Sequence, residues 1–142
     1  MSLIKAAGAG DQSTGFYKHL LDQSLKFDEG DSQYLTRTPA SAGNRKTWTW
    51  SAWVKRSKLG ETQGIFASDG TSNTTLFEMF FSGGDQLGAQ GSSSTFFRTT
   101  QLFRDTSAWY NIVLKWDAAN TNADLYVNGV EVTSWSTAPS PS

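Results

Sequence analysis

From residue 23 onward, apolar and polar residues alternate along the chain with a period of two. The clearest case is residues 47–55, in which the even positions are apolar and the odd positions, apart from Trp53, are polar. Side chains of a β-strand point alternately to opposite faces, so this pattern predicts a strand with one buried and one exposed face. The same pattern predicts further strands at residues 25–27, 33–37, 64–68, 75–81, 87–90, 95–103, 109–116, 125–127 and 130–132.

Turn-forming residues separate the predicted strands, at 28–32, 69–70, 82–85 and 105–107. Between the last two strands stands the pair Asn128 and Gly129, which favours a two-residue type I′ hairpin turn. Many short strands at regular spacing, with almost no helix, predict an all-β fold. We therefore expect an antiparallel β-sandwich or jelly roll.

The two ends of the chain depart from the alternating pattern. In residues 1–22, the apolar residues Phe16, Tyr17, Leu20 and Leu21 are spaced as on one or two turns of helix. This segment predicts either a frayed terminus or an arm that attaches to a neighbouring subunit, and the pattern favours neither. Residues 136–142 contain two prolines and predict an exposed tail. The predicted jelly-roll domain is therefore residues 23–135.

Composition narrows the function classes. The 142 residues suit one domain, and the formal net charge of −1 argues against nucleic acid or an anionic membrane as the main partner. Zero Cys excludes disulfides and thiolate chemistry, and a single His (His19) excludes a histidine metal cluster. No signal peptide or membrane span is visible, so we expect synthesis and assembly in the cytoplasm. Six basic residues are expected to form a solvated rim around the 47–55 strand: Arg37, Arg45, Lys46, Lys55, Arg56 and Lys58.

Five segments in a fixed order resemble one known superfamily. They are SLKF (24–27), YLTR (34–37), WTWSAWVK (48–55), WYNIVLKWD (109–117) and LYVNG (125–129). This series is similar to the laminin-G-like, concanavalin A-like jelly-roll superfamily, in which the first segment is an N-terminal core strand. Members carry further strands after the last hairpin. The resemblance therefore implies a sandwich that is incomplete at its C-terminus: the chain is a fragment, or another subunit completes the sheets. We expect an intermolecular contact at the open sheet edges.

Two longer segments, 37–50 and 98–105, are similar to a subgroup found in structural proteins of tailed phages. That resemblance implies a non-enzymatic virion protein, serving as a fibre, appendage or decoration subunit and assembled in the host cytoplasm. Its partners would be other virion proteins and further copies of itself. Residues 1–22 would then be the attachment arm.

Catalytic and metal chemistry find little support in the residues. A glycosidase needs two opposed carboxylates, and none of the four glutamates forms such a pair on a predicted strand. We expect no enzyme activity, no catalytic residue and no cofactor. Asp69, Asp85 and Asp117, with Asn73 and Asn128, are weak candidates for Ca²⁺, since the family often binds calcium at one rim. Loop Asp and Asn more often only form turns.

Carbohydrate binding is the alternative function, with a host-surface glycan as a candidate ligand. Trp53 and Tyr126 fall on the predicted exposed faces of their strands, where an aromatic ring can stack on a sugar. Packing of Trp53 under a crossing loop is the simpler alternative for that residue. Both interpretations remain open at the level of sequence.

Overall fold

The computed structural model describes residues 23–68, 76–92 and 94–141. The chain divides into two compact units, residues 1–40 and 41–142, and each is described by itself. The described residues of the second unit form nine strands. They are β1 (Thr47–Val54), β2 (Gln63–Ser68), β3 (Phe77–Phe81), β4 (Gln86–Gln90), β5 (Thr95–Leu102), β6 (Tyr110–Asp117), β7 (Asn122–Val127), β8 (Val130–Glu131) and β9 (Trp135–Thr137).

Residues 23–40 contain one short 3₁₀ helix, Glu29–Asp31. The Asp28 carboxylate accepts a hydrogen bond from the Gly30 amide at 3.1 Å, and the Asp28 amide donates to Gln33 Oε1 at 3.0 Å. The predicted turn at 28–32 is therefore confirmed. The strands predicted at 25–27 and 33–37 are wrong, because both segments are irregular and residues 23–40 offer no second strand for pairing.

The nine strands form two antiparallel sheets, ordered β1-β6-β7-β8 and β2-β3-β4-β5-β9. The predicted antiparallel β-sandwich is confirmed, and every strand predicted beyond residue 46 has its counterpart within a few residues. Within the described residues, no helix has the length and apolar character needed to span a membrane.

The core lies between the two sheets and is rich in aromatic side chains. On β1 the even residues point inward, as predicted, and are half-buried. Trp48 stacks on Trp116 of β6 with ring centroids 5.6 Å apart. It also packs edge-to-face with Phe77 of β3, with ring centroids 5.0 Å apart. Such aromatic pairs stabilise the core beyond the area they bury.

The hairpin between β7 and β8 has the predicted turn. Asn128 (φ 52°) and Gly129 (φ 79°) both lie in the left-handed region that a type I′ turn requires. Asn128 Oδ1 also accepts a hydrogen bond from the Asn111 amide at 2.8 Å, so its side chain ties the turn to β6.

The C-terminal segment is exposed at residues 136–138 and 140, as predicted, but it is attached to the sheet and is not a free tail. After Val132 the chain crosses from the four-stranded to the five-stranded sheet, where β9 pairs with β5. The Ser140 amide donates to the Phe96 carbonyl at 2.9 Å, and Pro141 is buried. The prolines follow the strand, so their missing N–H groups interrupt no pairing there.

Candidate functional site

The outward-facing surface of the four-stranded sheet brings both sequence-predicted ligand residues together. Cross-strand partners point to the same face, so the register β1-β6-β7-β8 places Ser51, Val113, Tyr126 and Glu131 in one row. Trp53 belongs to the next row, opposite Asn111. We call this surface the outer face; its strand residues are Thr47, Thr49, Ser51, Trp53, Asn111, Val113, Lys115, Asp117, Asn122, Asp124, Tyr126 and Glu131.

The two aromatic residues on the outer face differ in accessibility. Trp53 is 37 % exposed, whereas Tyr126 is half-buried. They lie two strands apart and two residues out of register, which separates their Cα atoms by about 12 Å in ordinary strand geometry. Two rings at that spacing can contact different units of one extended ligand.

A charged pair stands beside Tyr126 on the same face. Lys115 Nζ lies 2.7 Å from Asp124 Oδ2, and Asn122 Nδ2 donates to Asp124 Oδ1 at 3.2 Å. The hydrogen bond from Lys115 lowers the pKa of Asp124, with the Asn122 amide adding to that effect. The same bond and the negative charge of Asp124 raise the pKa of Lys115, against the opposing effect of burial. Both groups are therefore charged at neutral pH.

A groove of about 370 Å³ continues the outer face at the edge of β7. It lies where the chain leaves β8 and crosses towards β9, so Asp124 and Glu131 belong to both surfaces. Trp135 contributes an aromatic wall and packs edge-on against Phe97, with ring centroids 5.6 Å apart. The other lining residues include Asn122, Thr133 and Pro139.

A second charged cluster lies at the turn between β3 and β4, where Asp85 and Arg56 are buried and Arg104 is exposed. Asp85 receives hydrogen bonds from Arg56 Nη1 at 2.9 Å, Arg104 Nε at 3.0 Å and the Gly60 amide at 3.0 Å. These hydrogen bonds lower the pKa of Asp85 to about 2, against the opposing effect of burial. The bond from the Gly60 amide contributes most, followed by those from the two arginines.

This cluster overturns two sequence predictions. Asp85 was a weak Ca²⁺ candidate, but both of its carboxylate oxygens are occupied by donors of the protein. Arg56 was assigned to the solvated rim, but it is 3 % exposed and its guanidinium lies 4.8 Å from the centre of the Phe81 ring. The other members of the predicted rim, Arg37, Arg45, Lys46, Lys55 and Lys58, are exposed.

The remaining Ca²⁺ candidates gain no support. Asp117 bonds to the side chain of Asn120 at 2.7 Å, as a turn former does, and Asn128 Oδ1 is used by the hairpin. Asp69 and Asn73 lie outside the described residues. Across residues 23–68, 76–92 and 94–141, no three His, Cys, Asp or Glu side chains are grouped so that they could hold a metal ion.

Sequence reasoning missed one aromatic residue of the candidate surface. Trp135 lines the groove, and no sequence signal indicated it, because β9 was not predicted. The arm residues Phe16, Tyr17, Leu20 and Leu21 lie outside the described residues.

One comparison with known proteins gives a match. The family model Laminin_G_3, described as the concanavalin A-like lectin/glucanases superfamily, matches residues 28–142. No curated protein and no solved structure matches the chain significantly.

Proposed function

Because the chain belongs to the concanavalin A-like lectin/glucanase superfamily, we propose that its sandwich is a non-enzymatic carbohydrate-binding module. The observation that carries the proposal is that Trp53 and Tyr126 lie on the same outer face, which also holds the Lys115–Asp124 pair. The fold of the superfamily is compatible with sugar binding, and this face supplies the side chains for it.

Each group on the outer face has a part in recognising a sugar. The apolar face of a pyranose ring stacks on an aromatic ring, which Trp53 and Tyr126 provide. Sugar hydroxyls both donate and accept hydrogen bonds, so they can pair with the hydroxyls of Thr49 and Ser51 or with the charged Lys115–Asp124 pair. Hydrogen bonds to charged groups are the stronger ones, which favours the charged end of the face as the anchor for a hydroxyl pair.

The charge state of Asp124 supports binding over hydrolysis. A glycosidase needs one carboxylic acid with a raised pKa, which protonates the leaving oxygen. The Lys115 ammonium group lowers the pKa of Asp124 instead, so Asp124 is a poor general acid. We therefore expect bound oligosaccharides to remain intact when their reducing ends are assayed after long incubation.

A glycan array followed by calorimetric titration tests the proposal. We expect the full chain to bind a subset of glycans, and Trp53→Ala and Tyr126→Ala each to weaken that binding at least about tenfold, the effect of losing one stacked ring. Trp53→Phe should retain part of the affinity, because an aromatic face remains.

The matched control is Tyr34→Ala, which removes an aromatic ring that is 79 % exposed and belongs to no strand. We expect this variant to bind like the unmodified chain. Circular dichroism of all variants separates loss of a ligand contact from loss of the fold. Glycan binding that survives in both folded alanine variants would overturn the assignment of the outer face.

A second candidate function is that of a virion structural subunit, and the two functions can coexist in one protein. It rests on the similarity of segments 37–50 and 98–105 to structural proteins of tailed phages. In that setting residues 1–22 attach the protein to other virion proteins, and the sandwich presents its outer face to a host-surface glycan. Deletion of residues 1–22 should then prevent incorporation into particles while glycan binding persists. Unchanged incorporation would argue against the arm.

A further inference from the structure

Among the described residues, the two sheets end in four edge strands, and one of these differs from the rest. β8 has two residues and β9 has three, whereas β2 is interrupted by a register shift between Gly64 and Phe66. Short edges and bulges are the features by which proteins avoid strand addition. β1 has neither, since it pairs with β6 over eight residues without a shift. It also contains no charged residue, proline or glycine.

The hydrogen bonds at the ends of the sheet show which groups of β1 face its outer edge. The Ala118 amide donates to the Lys46 carbonyl, so even residues of β1 bond to β6. In antiparallel pairing the direction alternates, and the odd residues therefore point their amides and carbonyls away from β6. Thr49 and Ser51 lie at the centre of this edge. The Thr47 amide is already bonded to Asn44 Oδ1 at 3.1 Å.

The core is also less complete under β1 than under its neighbour. Ile112 and Leu114 of β6 are fully buried, whereas Trp48 and Trp50 of β1 are only half-buried. Trp50 packs against Phe66 of β2, the edge strand of the opposite sheet, with ring centroids 6.1 Å apart. An added strand beside β1 would cover apolar surface as well as satisfy backbone groups.

We propose that β1 pairs with β1 of a second copy of this chain, antiparallel and across a two-fold axis. A two-fold contact requires a surface that complements itself. β1 meets this requirement because it is regular and uncharged. The other edge strands of a second copy do not match its length, and β2 does not match its regularity. Basic residues flank β1 at Arg45, Lys46 and Lys55, which confines the pairing to the strand itself.

The alternation limits the registers that this contact can take. Side chains must keep their faces, so odd residues pair with odd residues. We place the two-fold axis at Trp50, near the centre of β1, so that Thr49 lies opposite the partner's Ser51, and Ser51 opposite the partner's Thr49. These two pairs make four backbone hydrogen bonds that use only Thr49 and Ser51. The two four-stranded sheets then form one continuous eight-stranded sheet.

Sedimentation velocity of the full chain over a concentration series tests the proposal. We expect a dimer that Thr49→Pro dissociates, because proline removes an amide that points away from β6 and leaves the β1–β6 bonds intact. Thr49→Val keeps that amide and should remain dimeric. The double variant Thr49→Lys with Ser51→Lys should also be monomeric, since it places like charges directly opposite each other without constraining the backbone.

Crosslinking tests the register, and the absence of cysteine from the chain gives a clean background. Thr49→Cys combined with Ser51→Cys should form an intermolecular disulfide on mild oxidation, because paired Cα atoms about 5.5 Å apart lie within disulfide reach. Ser51→Cys alone should not. A monomer at every concentration, or a folded double-lysine variant that stays dimeric, would overturn the proposal. The readout is independent of sugar binding, so either idea can fail alone.

Discussion

Two charged clusters of the sandwich each pair an aspartate with a basic residue, but one pair is buried and the other is exposed. At Asp85, an aspartate and Arg56 are enclosed, with side chains 8 % and 1 % exposed. At Asp124, an aspartate and Lys115 lie on the outer face, with side chains 22 % and 57 % exposed. The nitrogen–oxygen distance is short in both pairs, 2.9 Å at Asp85 and 2.7 Å at Asp124. The two pairs therefore differ in burial and not in distance.

The surroundings of each pair explain what it does. Asp85 joins the β1–β2 connection through Arg56 and Gly60, and the end of β5 through Arg104. Its own amide and carbonyl are bonded as well, to Ser82 and Phe103, so no group remains for a ligand. Asp124 and Lys115 keep exposed atoms that a sugar hydroxyl could reach. The first cluster organises the fold, and the second is available for recognition.

The largest expected effect comes from breaking the buried cluster. Arg56→Met keeps most of the apolar volume but removes the charge facing Asp85, and loss of one partner from a buried pair typically costs 3–5 kcal/mol. Arg56 Nη2 is buried and has no hydrogen-bond partner among the described residues, which already costs stability. We therefore expect the lower end of that range, about 3 kcal/mol in the free energy of unfolding by urea titration. A loss too small to resolve would show that the cluster does not organise the fold.

The second-largest expected effect is a loss of stability in acid, when Asp85 becomes protonated. The pKa of Asp85 is lowered from 3.8 to about 2, so its stabilising effect is present above the ordinary value and is lost as the pH falls through about 2. We expect the urea midpoint to fall between about pH 4 and about pH 2. Asp85→Asn, which can adopt the same left-handed backbone (φ 65°), should lower stability at neutral pH and flatten this dependence. An unchanged slope in Asp85→Asn would assign the acid sensitivity to other carboxylates.

The smallest stability effect is expected at the exposed pair. Asp124→Asn removes one charge of an exposed pair, and water can solvate the Lys115 ammonium group that remains. The loss in unfolding free energy should therefore be at most about a third of that for Arg56→Met. Glycan affinity should fall nonetheless, because the charged hydrogen-bonding group is gone. A variant that loses stability like Arg56→Met while keeping its affinity would reverse the assignment of the two clusters.

The strands could be predicted from sequence wherever alternation and turn residues agreed. Residues 47–55, 109–116 and the Asn128–Gly129 hairpin satisfied both, and each was found. Leu25 and Phe27 also alternate, but a strand needs a partner, and a local pattern cannot supply one. β9 was missed for the opposite reason, because its pairing with β5 joins residues about forty positions apart and overrides the proline-rich composition.

The candidate site could be predicted only in part. Alternation placed Trp53 and Tyr126 on exposed faces, but only the register of β1, β6 and β7 shows that these are one face. Arg56 follows Lys55 in a run of basic residues, and nothing in that run indicates that one member is buried against Asp85. Such long-range pairing depends on how the loops meet, which composition and spacing do not encode.

The most direct test of the carbohydrate-binding proposal is to map a bound glycan by NMR chemical-shift perturbation on the full chain. The outer-face account predicts that the largest shifts fall on the side chains of Trp53 and Tyr126 and on the strand residues beside Lys115. Shifts confined to the five-stranded sheet, or no shifts with any glycan that the array identifies, would contradict it.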